Sequence, residues 1–192
     1  MTLASRPFFF TQVAKSTILA AGLFAATMAQ AGILNFTDTT VGGAIWNRPY
    51  SLTNLSAVGT AVAYDVTHIR VDQGGSYTFN GVSILPVAWD NYLFLYATTF
   101  SSAAPLVNEI ALNDDNPGIG ATGFTVTLNS GVDYFLVMSG FSNTDAGSYN
   151  MLITGVNGGT ASIAGATAVP EPASLALLGL GVIGAAAIRR RA

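Results

Sequence analysis

Between residues 32 and 168, apolar and polar side chains alternate in short runs and never settle into a helical spacing. In 123–129 (GFTVTLN), Phe124, Val126 and Leu128 fall on one side and Thr125, Thr127 and Asn129 on the other, which is the pattern of a strand with one buried face. Runs at 75–81 (GSYTFNG), 90–97 (DNYLFLYA), 132–138 (VDYFLVM) and 147–153 (GSYNMLI) are equally short. They are rich in β-branched and aromatic residues and bounded by Gly, Asn, Asp or Ser. Residues 60–71 predict a further strand. With no capped helical period in the region, the pattern predicts an all-β domain over 32–153, an antiparallel, jelly-roll-like β-sandwich. Residues 154–168, rich in Gly, Ala, Thr and Ser, are expected to form a flexible linker.

The two ends of the chain are patterned differently, because their apolar residues run without interruption. Arg6 and Lys15, with no acid near them, precede the apolar run 16–28, and Ala29-Gln30-Ala31 follows it. A basic start, an apolar middle and small residues at Ala29 and Ala31 predict a Sec signal peptide over 1–31, cut by signal peptidase between Ala31 and Gly32. At the other end Val169-Pro170-Glu171-Pro172 leads into the apolar stretch 173–188, which Arg189, Arg190 and Arg191 close. As a transmembrane helix those 16 residues span about 24 Å, a short crossing that snorkelling arginines would help to fit. The arginines also resist translocation, keeping the extreme C-terminus in the cytoplasm and everything before Pro170 outside. Two prolines around Glu171 bar helix and ladder pairing, leaving an extended segment for a processing enzyme to bind.

That order of Pro-Glu-Pro, short apolar helix and terminal basic cluster resembles the PEP-CTERM domain of Gram-negative bacteria over residues 169–192. The resemblance implies a membrane-embedded exosortase that cuts near the Pro-Glu-Pro and moves the protein to the cell surface or exopolysaccharide matrix. Pro170, Glu171 and Pro172 would then be read by another enzyme and catalyse nothing. A plain tail anchor needs the helix and the arginines but no acid between two prolines.

The strands, taken in order, are similar to the bacterial pre-peptidase C-terminal domain, a calcium-associated jelly-roll module. The similarity rests on 75–79, on Asp90 with Leu93, Leu95 and Tyr96, on Asn113-Asp114-Asp115, on 131–137 and on Gly147-Ser148-Tyr149. It implies a sandwich and a calcium ion, although residues 32–60 hold no acidic cluster of the kind that supplies ligands upstream in some members.

Composition sharpens this picture. The apolar ends account for a chain that is 51% hydrophobic and only 9% charged. Without them, two arginines stand against nine acids over 32–168, a formal charge of −7, which repels nucleic acid and leaves carboxylates free for cations. The absence of cysteine removes disulfides, thiolate catalysis and Cys-ligated zinc together. His68 is the single histidine, so a multi-histidine metal centre is excluded and a Ser-His-Asp triad would have to use it. No nucleophile elbow, phosphate loop or dinucleotide fingerprint is present, and none of the nine acids stands in a distinctive catalytic context. These residues point to a non-enzymatic protein; a secreted hydrolase would have to work through His68 or a carboxylate pair.

Two binding candidates remain. In 113–118 (NDDNPG), Asn113, Asp114 and Asp115 crowd oxygens into one loop, and with Asp90 or Asp145 recruited they would begin a calcium shell of six to eight oxygens. The same residue types are also ordinary turn formers, so a solvated acidic turn fits equally. Trp46 and Tyr50, flanking Asn47-Arg48-Pro49 in an expected loop, are candidate contacts for a polysaccharide, whereas Trp89 belongs to the core or its rim.

Overall fold

A computed structural model describes residues 32–165. The signal segment with Ala29 and Ala31, and the tag with Pro170, Glu171, Pro172, the span 173–188 and Arg189 to Arg191, lie outside the described residues. Within them no helix is long and apolar enough to cross a membrane.

The strands in chain order are β1 (Ile33–Thr39), β2 (Ala44–Trp46), β3 (Pro49–Ser51), β4 (Asn54–Leu55), β5 (Val62–Val71), β6 (Gly75–Leu85), β7 (Asn91–Ala97), β8 (Glu109–Asn113), β9 (Ala121–Leu128), β10 (Tyr134–Gly140), β11 (Ser148–Gly155) and β12 (Ala161–Ile163). One sheet has the order β1-β11-β6-β9; the other has β12-β5-β10-β7-β8, with β2 also on β5, and β3 and β4 form a small hairpin. Every pairing is antiparallel. The all-β, antiparallel expectation therefore holds for the described residues.

The alternation read from 123–129 is borne out. Phe124 turns inward against Phe79, its partner in register, while the Thr78 and Thr125 hydroxyls meet 2.9 Å apart on the outer side. Inward residues of both sheets make the main core, Tyr77, Phe79 and Met151 from one and Ile69, Leu93 and Leu136 from the other. The run 90–97 does not alternate because β7 is covered twice. Leu93 and Leu95 face the main core, while Tyr92, Phe94 and Tyr96 belong to a second core with Trp46, Val62 and Val137. A strand buried on both faces has no polar side to show.

The fold extends past residue 153, into the expected linker. β11 continues to Gly155, a 3-10 turn covers Val156–Gly158, and β12 pairs with β5, placing Ala161 opposite Val71 and Ile163 opposite Ile69. The linker reading of 154–165 is thus corrected. Here small residues serve close packing: a Cβ on Gly159 would lie 2.4 Å from the Tyr77 hydroxyl. The strands of both sheets and the described members of both cores all fall within 32–165.

The chain reversals fall into two sets. Segments 40–43, 47–61, 86–90, 114–120 and 141–147 share one end, because the strands they join pair there: Thr39 with Ser148, Ser148 with Leu85, Gly140 with Asn91 and Trp46 with Val62. We call it the loop end. Segments 72–74, 98–108, 129–133 and 156–160 lie at the opposite, turn end.

Candidate functional site

The loop end holds the densest chemistry. Asp90 immediately precedes β7, and Asp114 and Asp115 begin the segment between β8 and β9. Antiparallel pairing of β7 with β8 sets Leu93 opposite Asn113, which carries Asp90 towards Asp114 and Asp115. One carboxylate oxygen from each of the three acids lies within 4.8 Å of the others. Asp90 and Asp114 are half-buried, and each has an Oδ1 out of solvent with no hydrogen-bond partner. Burial pushes the Asp114 carboxyl up to about 6, with Asp90 and Asp115 adding repulsion. Burial likewise raises Asp90, helped by Asp115 and Asp145.

Two expected members of this site are used elsewhere. The Asn113 side-chain oxygen accepts from the Gly123 backbone N–H at 3.0 Å, tying β8 to β9. Asp145 accepts from the Ser142 backbone N–H at 2.8 Å and its hydroxyl at 2.6 Å, closing its own loop. The loop 114–120 is braced by the Asn116 side chain, whose Nδ2 donates to the Gly123 carbonyl at 3.1 Å.

Arg48, which sequence reasoning passed over, stands beside the acids. It is 1% exposed. Its Nε and Nη2 donate to the Phe141 carbonyl at 3.0 and 2.6 Å, and Nη1 donates to the Pro49 carbonyl at 2.9 Å. The guanidinium also sits 4.3 Å from the Tyr92 ring centroid and 5.0 Å from that of Phe141. Among the described residues no carboxylate comes within salt-bridge distance of it. Burial lowers its pKa, against the raising fields of Tyr92, Asp114, Asp90 and Asp145. The Arg48 backbone bonds to Gly59 and Ser56, so this residue organises the whole 47–61 segment. A usable signal was in the sequence: one of only two basic residues of the sandwich, placed between Trp46 and Tyr50.

Over this group opens a cavity of about 310 Å³ with Arg48, Asp114 and Tyr92 in its wall and Tyr50, Leu55, Val58 and Phe141 among its apolar lining. Tyr50 is exposed, as a contact residue must be. Trp46 is not. It is 4% exposed, donates its indole N–H to the Ser139 hydroxyl at 2.9 Å and packs among Tyr64, Phe94, Tyr96 and Phe100. Its expected ligand contact is corrected, since the segment after Trp46 folds back and seals the second core. Trp89 is buried, as expected.

Away from the cavity, His68 Nε2 meets Asp133 Oδ1 at 2.7 Å and its ring stacks on Phe135. Arg70 Nε donates to the same Asp133 oxygen, and the two partners, Arg70 first, pull the Asp133 carboxyl down to about 2. On β8, Glu109 has both carboxylate oxygens buried and unpartnered, and burial pushes its pKa up to about 8.

None of the curated proteins matches the chain. A family model does, described as the PEP-CTERM protein-sorting motif, over residues 168–191. That range overlaps the Pro-Glu-Pro, apolar stretch and arginines read from the sequence and begins three residues after Gly165, where the described fold ends. The chain therefore carries a PEP-CTERM sorting motif at its C-terminus, the mark of an exported precursor processed by an exosortase-type membrane enzyme.

Proposed function

We propose that this chain is a non-enzymatic cell-surface or matrix protein whose cargo is the acidic sandwich and whose tag is a removable membrane stop. Signal peptidase frees Gly32, the helix 173–188 holds the precursor in the inner membrane, and the exosortase cuts near Pro170-Glu171-Pro172. One observation carries the reading: a sorting motif at 168–191 closely follows the last described strand of the sandwich, β12 (Ala161–Ile163). Deleting 169–192 is expected to leave the sandwich in the periplasm. Glu171→Ala is expected to leave an uncut, membrane-bound precursor. Fractionation and surface labelling in a host with an exosortase check both, and surface display that survives the deletion ends the reading.

A second reading, a calcium-dependent adhesive module, is favoured by the buried, unpartnered oxygens of Asp90 and Asp114 beside Asp115. A hard divalent cation would satisfy those oxygens and relieve their mutual repulsion. Calcium is then expected to raise the Tm of the sandwich by roughly 5 °C, and Asp114→Asn to remove most of that rise. Calorimetry that finds no calcium heat, with no thermal shift, rejects it. The cavity beside the acids, with Tyr50 at its wall, is where such a module would take a sugar ring.

A further inference from the structure

We propose that the outer edge of β1 is a self-pairing surface, on which a second copy of the mature chain adds its own β1 antiparallel. The hydrogen bonds of β1 to β11 show which backbone groups are free. Gly155 N–H donates to the Gly32 carbonyl at 2.9 Å and Thr40 N–H to the Gly147 carbonyl at 3.0 Å, so the even-numbered residues along β1 bond to β11. Ile33, Asn35 and Thr37 therefore turn their N–H and C=O outward, and among the described residues no other strand pairs with that edge. Open edges are normally blunted by proline, lysine or a bulge. β1 holds no proline and no basic residue, and its register against β11 runs unbroken from Ile33 to Thr39. The other edges are closed or short. On β9, Gly123 gives its N–H to the Asn113 side chain at 3.0 Å and its carbonyl accepts from Asn116 at 3.1 Å. β8 has five residues and lies against a register shift, and β2 and β12 have three residues each.

The residues of β1 select a second copy as the occupant. A two-fold axis between the two Asn35 residues sets Asn35 opposite Asn35 and Ile33 opposite Thr37, so every outward N–H and C=O of the three residues finds a partner. Asn35 Oδ1 already accepts from Asn150 Nδ2 at 2.8 Å, which leaves the Asn35 Nδ2 to donate across the axis. Charge fixes the register. Asp38, the only charged residue of β1, then stands opposite Gly32 of the second copy. This step rests on the signal-peptidase cleavage put forward above, which makes Gly32 an α-ammonium, so each end of the joint sets one acid against one cation. The alternative register, centred on Phe36, places Asp38 against Leu34 and calls on the Thr39 N–H, which Asp38 Oδ1 already holds at 2.8 Å. Two sandwiches of formal charge −7 repel each other elsewhere, but Asn150, Leu152 and Thr154, which lie beside this edge on β11, add no charge to it.

The test uses the exported, signal-cleaved chain with its tag in detergent micelles, with single cysteines placed in a sequence that has none. Under a short thiol-to-thiol linker, Asn35→Cys is expected to couple to itself at least about tenfold faster than Thr39→Cys, because the axis holds the two positions 35 about 5.5 Å apart and the two positions 39 about 27 Å apart. Asn35→Pro removes an N–H that β11 does not use. It is expected to raise the dimer dissociation constant by about tenfold or more in sedimentation equilibrium and to move the Tm by less than about 3 °C. A chain that stays single up to about 1 mM overturns the proposal. So does a dimer that Asn35→Pro leaves intact or that couples no faster through position 35, since its contact then lies elsewhere. Mass spectrometry of the N-terminus keeps the two readings apart. In a chain that begins at Gly32, Asp38→Asn is expected to weaken the dimer about threefold, and an unchanged constant overturns the register. A chain that begins elsewhere ends the cleavage reading alone, and coupling through position 35 still decides the edge.

Discussion

Arg48→Ala is expected to destabilise the sandwich by about 3 kcal/mol and to lower its Tm by roughly 10 °C. The substitution removes three charge-assisted hydrogen bonds at once and leaves the Phe141 and Pro49 carbonyls without those donors. It also strips the covering cation from the Tyr92 and Phe141 rings and opens a void at a position that is 1% exposed. Because Arg48 binds segment 47–61 to the reversal after β10, the damage should begin at the loop end. The amide of residue 48, which donates to the Gly59 carbonyl, and that of Ser56, which donates to the carbonyl of residue 48, should lose protection before those of β6 or β10. Arg48→Lys keeps the charge but cannot reproduce a fork that reaches two carbonyls, so most of the loss should remain. Denaturant titration of both variants checks this. A Tm within a degree or two of the parent would show that the loop end is held by its apolar contacts instead.

How far these features could be read in the sequence depended on what each residue answers to. Phe124, Val126 and Leu128 alternate with threonines because their strand has one buried face, and that regularity survives in a single sequence. β7 is buried on both faces, so 90–97 shows a strand but hides the second core that Tyr92, Phe94 and Tyr96 enter. Trp46 looked like a contact because its neighbours Asn47, Arg48 and Pro49 are loop formers. Its burial follows from Ser139 and Phe94, residues on distant strands that local pattern cannot bring to it. The same limit applies to β12, where Gly and Ala read as flexible although Gly155 and Gly159 are small so that two backbones and Tyr77 can meet. Asp114 and Asp115 were visible as a pair, and β7–β8 pairing added Asp90, one of the neighbours anticipated for them. Asn113 was lost from the group because the β8–β9 joint needs its oxygen. The sorting motif was legible because its Pro-Glu-Pro, apolar stretch and arginines follow one another directly in the sequence.

Glu109→Gln is expected to raise stability by about 2 kcal/mol at pH 8.5 and to leave it nearly unchanged at pH 4. Glu109 lies on β8 beside the register shift at Leu95 and Tyr96, and neither of its oxygens has a partner or solvent. Burial raises its carboxyl from 4.5 to about 8 in the folded chain. Between those two values the native state keeps a proton that the unfolded chain has already released. Native protein then binds more protons than unfolded, so stability falls as pH rises through this window. Below it both states are protonated and nothing is lost; above it the full cost of an unpaired carboxylate falls on the fold. Asp114, raised to about 6, adds a loss of the same sign at lower pH, so the parent's slope is not Glu109's alone. The difference between parent and Glu109→Gln isolates it: urea midpoints at pH 4, 6 and 8.5 should diverge steadily in favour of the variant. Parallel curves would mean that Glu109 is ionised at neutral pH, with water or a cation reaching its oxygens. Under the delivery to the cell surface proposed above, the sandwich would meet the external pH directly, and this carboxyl would make it firmer in mildly acidic surroundings than in alkaline ones.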